Sequence, residues 1–162
     1  MGAIDLAAGR LPLRLAQLNA DYARALDDDR MEEWPDFFTD PCLYVITTAD
    51  NHRHGYTAGI VYADSQGMLH DRVAALREAN VYERQAYRHV VGLPAVRGKA
   101  DGLVRVETAF LVVRIMRDGR MDLFATGRYL DALADEDGTL RFRERVVVCD
   151  NNRFDTLLAI PL

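Results

Sequence analysis

Cysteine is scarce: Cys42 and Cys149 are the only two in the chain. They stand far apart with no C-x-x-C, so the spacing of a zinc or iron–sulfur ligand set is missing. Both lie in apolar, strand-like runs, and reduced core thiols are the expected state in place of a disulfide. Long apolar runs are lacking too; none approaches the roughly 18 uninterrupted apolar residues of a membrane-spanning helix. The opening segment MGAIDLAAGR carries no basic stretch followed by an apolar one, so no secretory signal is read and a cytoplasmic location is expected. There is no concentrated basic surface either. The formal net charge is -5 and the arginines are spread along the chain, which argues against a phosphate-rich nucleic acid as partner. Nucleophile elbows, P-loops and Gly-rich phosphate cradles are all absent.

What is there suits one ordinary core. Apolar residues make up 49% of the 162 and charged residues 28%, and a single domain spanning residues 1–162 is expected. Leu11, Leu15, Leu18, Tyr22, Ala25 and Leu26 recur at helical steps, with Pro12 suited to a first turn, and predict an amphipathic helix. Asp27, Asp28 and Asp29 close it or open the next helix, Met31 to Phe38, which gathers Trp34, Phe37 and Phe38. Cys42 to Thr48 is β-branched and aromatic, a strand. Ala49 to Ala58 reads as a polar loop, and Gln66 to Ala79 as a helix capped by Asp64 or Ser65. Strands follow at Tyr87 to Val91, Gly102 to Met116, Met121 to Ala134 and Thr139 to Cys149, with Asp118-Gly119 as a hairpin turn and a second turn at Asp135 to Gly138. Helices first and a meander afterwards predict an α+β fold, helices packed on the concave face of a curved antiparallel sheet.

Several residues invite chemical readings. Asp50, His52 and His54 form a D-x-H-x-H cluster which, if extended, points both rings to one side; no third ligand is specified, and a surface loop is preferred over a metal site. His70, beside Asp71, is read as a solvated helical residue. A buried His89 paired with Asp64 would make an acid–base pair, although no spacing requires them to meet. Arg105 and Glu107 share a strand face and are expected to be satisfied in a charged ladder by Arg128 or Arg143. Trp34, Phe37 and Phe38 are read as core, with a pocket or contact near Tyr44 as the alternative. The tail, with Leu157, Leu158, Ile160, Pro161 and Leu162, either docks on its own sheet or joins an interface.

In order and length the chain resembles the β subunits of aromatic-ring-hydroxylating dioxygenases. The resemblance rests on Leu26-Asp27-Asp28-Asp29, on Trp34-x-x-Phe37-Phe38 leading into Cys42-Leu43-Tyr44, on Arg72-Val73-x-x-Leu76-Arg77, on Arg88-His89-Val90, and most specifically on the ending Val148 to Leu162. It implies a cystatin-like cone shared with nuclear-transport-factor-like proteins and small dehydratases. It also implies a non-catalytic, mainly structural chain, with no catalytic, cofactor-binding or metal residue of its own. The partner would be a larger α subunit, commonly three of each, carrying the Rieske [2Fe–2S] centre and the mononuclear Fe(II). The ending resembles relatives acting on aromatic acids. Two other classes stay open on the residues: a free-standing dehydratase or isomerase of the same fold using Asp64 and His89, and a homomeric small-ligand-binding module.

Overall fold

The first helix, α1 (Leu6–Asp27), buries Leu15, Tyr22, Ala25 and Leu26 of the predicted stripe together with Asn19, while Leu11 and Leu18 of that stripe are partly buried. It begins before Pro12, which therefore sits inside the helix and removes one backbone bond there. The computed structural model describes residues 6–56, 59–79, 85–154 and 160–162. The segment Met31–Phe37 is a 3-10 turn where an α-helix ending at Phe38 was expected. Phe38 instead opens strand β1 (Phe38–Thr48). Trp34 is fully buried in that turn, edge-on to Phe38 and Tyr44 at 5.8 and 5.0 Å between ring centroids.

The expected loop after β1 starts as a short helix, α2 (Ala49–Arg53), whose N-terminus is capped by the Thr48 side chain accepting from the Asn51 N–H. Strand β2 (Val61–Ala63) and helix α3 (Gln66–Glu78) follow. The Ser65 hydroxyl caps α3 by accepting from the Met68 N–H, as the residue type predicts. The remaining strands are β3 (Ala86–Val91), β4 (Ala95–Ala100), β5 (Leu103–Ile115), β6 (Met121–Glu136) and β7 (Thr139–Cys149). Neither β2 nor β4 was predicted. The first is only three residues long, and every residue of the second is exposed, so neither leaves a burial pattern to read.

The sheet runs β2-β1-β7-β6-β5-β3, with β4 also pairing β5. It is antiparallel except where β1 pairs parallel to β7. The β6–β7 turn has Asp137 and Gly138 both at positive φ, 52° and 86°, as a two-residue hairpin requires. The β5–β6 turn uses Gly119 at φ 87°.

A register shift between Ala132 and Leu133 sets Ala132 opposite Glu144 and Leu133 opposite Phe142, which leaves Arg143 as the extra residue of a bulge. The bulge changes the phase of β7. Phe142 before it and Arg145 after it are both buried, whereas plain alternation puts them on opposite faces. The Arg145 side chain is fully buried. Its Nε and Nη2 donate to the two Asp131 oxygens at 2.9 and 2.8 Å, and Nη2 also donates to Asn19 Oδ1 at 2.7 Å. Its guanidinium carbon lies 4.4, 3.9 and 3.9 Å from the ring centroids of Tyr22, Tyr129 and Phe142. Burial raises the Asp131 pKa and Arg145 pulls it back down, while the charge of Asp131 holds the Arg145 pKa up against its own burial.

At the periphery, Arg77 of α3 donates to Glu32 Oε1 at 2.7 Å and to Asp29 Oδ1 at 2.8 Å, tying α3 to the segment after α1. Arg14 of α1 reaches Asp135 at 2.9 Å and the Gly138 carbonyl at 2.9 Å, fixing the other end of the helix to the last hairpin.

Two expectations follow. Arg145→Ala strands Asp131 without its counter-charge and is expected to cost about 3–5 kcal/mol in urea unfolding, whereas the apolar pair Arg145→Met with Asp131→Leu costs clearly less; equal losses would contradict this account. The Glu32 carboxyl is held down to about 2 by Arg77. A carboxyl with a lowered folded pKa stabilises above its ordinary pKa, and that stabilisation disappears as pH falls toward about 2. Glu32 is exposed, so Glu32→Gln should cost less than about 1 kcal/mol at pH 7, and the difference from the parent should close on acidification.

Candidate functional site

The D-x-H-x-H segment is helical rather than extended. Asp50 and His52 lie within α2, and His54 is its C-terminal capping residue, so the two rings do not share one side. His54 Nδ1 lies 2.7 Å from the Asp50 carbonyl and its ring stacks on Tyr56 at 5.6 Å. The Asp50 side chain bonds to Arg53 and Asn152. Among the described residues no group of three His, Cys, Asp or Glu is placed to hold a metal ion. His70 is exposed on α3.

The Asp64–His89 pair does not form. Asp64 follows β2 at one edge of the sheet, while His89 lies in β3 at the other. Asp64 is exposed and accepts from the Tyr62 hydroxyl at 3.3 Å. His89 is paired instead with Asp27, the last residue of α1: Nδ1 stands 2.6 Å from Asp27 Oδ1, with the two side chains 1% and 2% exposed. The His89 backbone N–H donates to both Asp27 oxygens at 3.2 and 3.0 Å, and Arg88 approaches at 3.6 Å. An aspartate at the negative end of a helix is poorly placed against the helix dipole. In the triple-aspartate run that misfit was the available sign that Asp27 has a partner elsewhere. An ionised carboxylate only accepts, so Nδ1 carries the hydrogen that Asp27 takes. His89 Nε2 is buried with no hydrogen-bond partner.

The other candidates resolve into structure. Glu107 accepts from Arg128 at 3.3 Å and from Arg97 at 3.3 Å, and Arg105 reaches Glu144 at 3.1 Å, the expected charged ladder with Glu144 and Arg97 as additional members. The Trp34 indole N–H donates to the Tyr22 hydroxyl at 3.1 Å. That hydroxyl in turn donates to the Leu162 carbonyl oxygen at 2.9 Å. The Leu162 N–H donates to the Tyr44 hydroxyl at 3.0 Å. Leu162 is buried and Ile160 packs on the core, so the last residues dock on their own domain's interior. Leu157 and Leu158 lie outside the described residues. Cys42 and Cys149 are free and buried. Burial raises their pKa values to about 11 and about 12, helped by the charges of Asp40 and Asp150 respectively.

A family model described as "Ring hydroxylating beta subunit" matches residues 21–156. The chain belongs to the aromatic-ring-hydroxylating dioxygenase β-subunit family. It is 51% identical over 150 residues to the terephthalate 1,2-dioxygenase terminal oxygenase component subunit beta 2 of a Comamonas species, covering 93% of this chain and 97% of that one. It is 38% identical over 141 residues to the anthranilate 1,2-dioxygenase small subunit of Burkholderia cepacia, covering 87% and 88%. A solved structure from Novosphingobium aromaticivorans, assigned as a β subunit of such a dioxygenase, superposes with a TM-score of 0.89 at 36% identity over 96% of this chain and 99% of that one. The curved-sheet fold extends to a scytalone dehydratase-like protein of the same organism, at a TM-score of 0.65 and 18% identity, over 91% of this chain and 87% of that one. As a β subunit, the chain takes part in an oxidoreductase complex of aromatic catabolism together with an α subunit.

The family's Rieske and mononuclear iron centres do not fit the described residues of this chain. The two thiols are separate, buried and held protonated, and none of the His and carboxylate groups converge in threes. Iron needs deprotonated, convergent donors. Because the thiolate is the reactive form, both cysteines should resist Ellman's reagent at pH 8 in the native chain. Both should react promptly in denaturant; fast native labelling of either would refute the burial account.

Proposed function

We propose that this chain is the non-catalytic, structural subunit of a Rieske non-haem iron dioxygenase that attacks an aromatic acid. It assembles in equal number with a larger α subunit, three of each, and the α subunit holds the Rieske [2Fe–2S] centre and the mononuclear Fe(II). The observation that carries this reading is the 51% identity, over nearly the whole chain, to a subunit named as part of a terephthalate dioxygenase's terminal oxygenase component. The anthranilate relative adds a second aromatic carboxylate, which supports the substrate class. The whole chain is taken to act as one domain in the cytoplasm.

The structural role is supported by what fills the fold. Arg145 with its three rings and the docked Leu162 occupy the interior, where an enzyme of this shape would need space for substrate. Assembly is supported by an apolar sheet face that nothing among the described residues covers. The register sets Val90 opposite Leu111, Val113 opposite Leu123 and Ile115 opposite Met121. Val90, Leu123 and Met121 are 52%, 66% and 69% exposed. Contiguous exposed apolar side chains of this kind mark contacts between chains.

Co-expression of the tagged chain with the large oxygenase subunit encoded beside it tests the reading. The two are expected to elute together in equal amounts, with iron and the Rieske absorption travelling with the large subunit. Supplied with a reductase, the complex should oxidise terephthalate or anthranilate faster than naphthalene. A tagged chain that elutes alone, as a homomeric binding module would, defeats the proposal.

A further inference from the structure

The Asp27–His89 pair has one nitrogen left over. Nδ1 is committed to Asp27 at 2.6 Å, and the backbone N–H of the same residue is held by the same carboxylate, so the ring is fixed in both position and tautomer. In the neutral imidazole, Nε2 is then a bare acceptor. It is buried, and no side chain or backbone group bonds to it. A buried polar atom left without a partner is costly to the fold, and such atoms call for a water or a ligand.

We propose that His89 Nε2 is the hydrogen-bond acceptor of a small-ligand site, and that the ligand is an aromatic ring bearing a hydroxyl group. This inference goes beyond the subunit role and does not rest on it. The donor must be neutral. A carboxylate has no proton to offer a neutral imidazole, and a cation is disfavoured by Arg88, which lies 3.6 Å from Asp27, and by Arg114 on the adjacent strand. The ring is indicated by the neighbours. His89 lies opposite Val112, and Tyr87, two residues before it on the same strand, lies opposite Arg114. The Tyr87 ring meets Phe124 at 5.4 Å, Phe124 meets Phe154 at 5.6 Å, and the Arg114 guanidinium lies over Phe124 at 5.1 Å. Tyr87, Phe124 and Phe154 are only partly buried. They form an aromatic cluster beginning two residues from His89 on the same strand, with ring faces of the kind on which a planar ligand stacks.

Catechol is the probe, titrated into the full-length chain with ¹⁵N-labelled histidine. One-to-one binding with a Kd of about 1 mM or tighter is expected, together with a shift of the His89 Nε2 resonance as it accepts the new bond. 1,2-Dimethoxybenzene, which has the same ring and no hydroxyl, should bind about tenfold more weakly, the loss expected for one hydrogen bond. His89→Asn keeps an amide donor where Nδ1 stands and has no atom at Nε2. It should retain the fold and lose catechol binding about tenfold. Equal binding of the two probes, an unmoved Nε2 resonance at saturation, or no saturable catechol binding each overturns the proposal and leaves a trapped water as the partner. If His89→Asn fails to fold, the two-probe comparison on the parent chain decides alone.

Discussion

One buried cation organises this fold. A guanidinium taken wholly out of water is tolerable only where its charge is matched and its donors are used. Arg145 matches its charge with Asp131 and uses Nε and Nη2, though not Nη1, and its surroundings come from three directions: Asp131 on the neighbouring strand, Asn19 on α1, and the faces of Tyr22, Tyr129 and Phe142. Each partner comes from a different turn of helix or rung of sheet, so the interaction exists only when α1 is seated in register on the curved sheet. Leucine-on-valine packing is nondirectional and tolerates small slips. A bidentate pair with three stacked rings does not. The helix position is therefore set by the charge, and the apolar stripe of α1 supplies affinity around it.

The bulge at Arg143 is what makes this possible, and it also marks where sequence reading stops. Alternation along β7 groups Arg145 with Arg141 and Arg143 as one arginine-rich side. The inserted residue breaks that grouping, so that only Arg145 of the three turns inward. Bulges of this type leave no compositional mark comparable to a DG turn. The helix stripe of α1, the presence of α3, the Ser65 cap, both hairpin turns and the four long strands were legible because each depends on contacts local in sequence. The 3-10 turn at Met31–Phe37, the parallel pairing of β1 with β7 and the exposed β4 depend on what packs from afar, and periodicity could not reach them.

Pairing across the fold was hardest to read. His89 was legible as a strand-borne histidine, with Asp64 raised as a partner that no spacing required; its partner is Asp27. The reason is topological. Asp64 belongs to the β2 edge of the sheet and His89 to the β3 edge, while α1 crosses the concave side and delivers its C-terminal carboxylate to β3. The dipole of α1 makes Asp27 unfavourable where it stands, and the His89 and Arg88 donors offset that cost. The family resemblance fared better because it draws on the order of many weak signals along the whole chain, none of which specifies a contact.

The two buried polar sites divide the interior unequally. Around Arg145 the rings close over the charge, with Arg145 Nη1 and the Tyr129 hydroxyl left without hydrogen-bond partners, so that end of the fold behaves as a structural plug; Leu162, bonded to Tyr22 and Tyr44, extends the plug to the chain's last described residue. At His89 one nitrogen is likewise unmatched, but the rings beside it are partly exposed rather than closed. Tight packing resists the loss of any partner, whereas an unmatched buried acceptor costs stability until something fills it. The proposed scaffold role is thus served by the Arg145 end, and the His89 end is where the fold retains the means to recognise a small molecule.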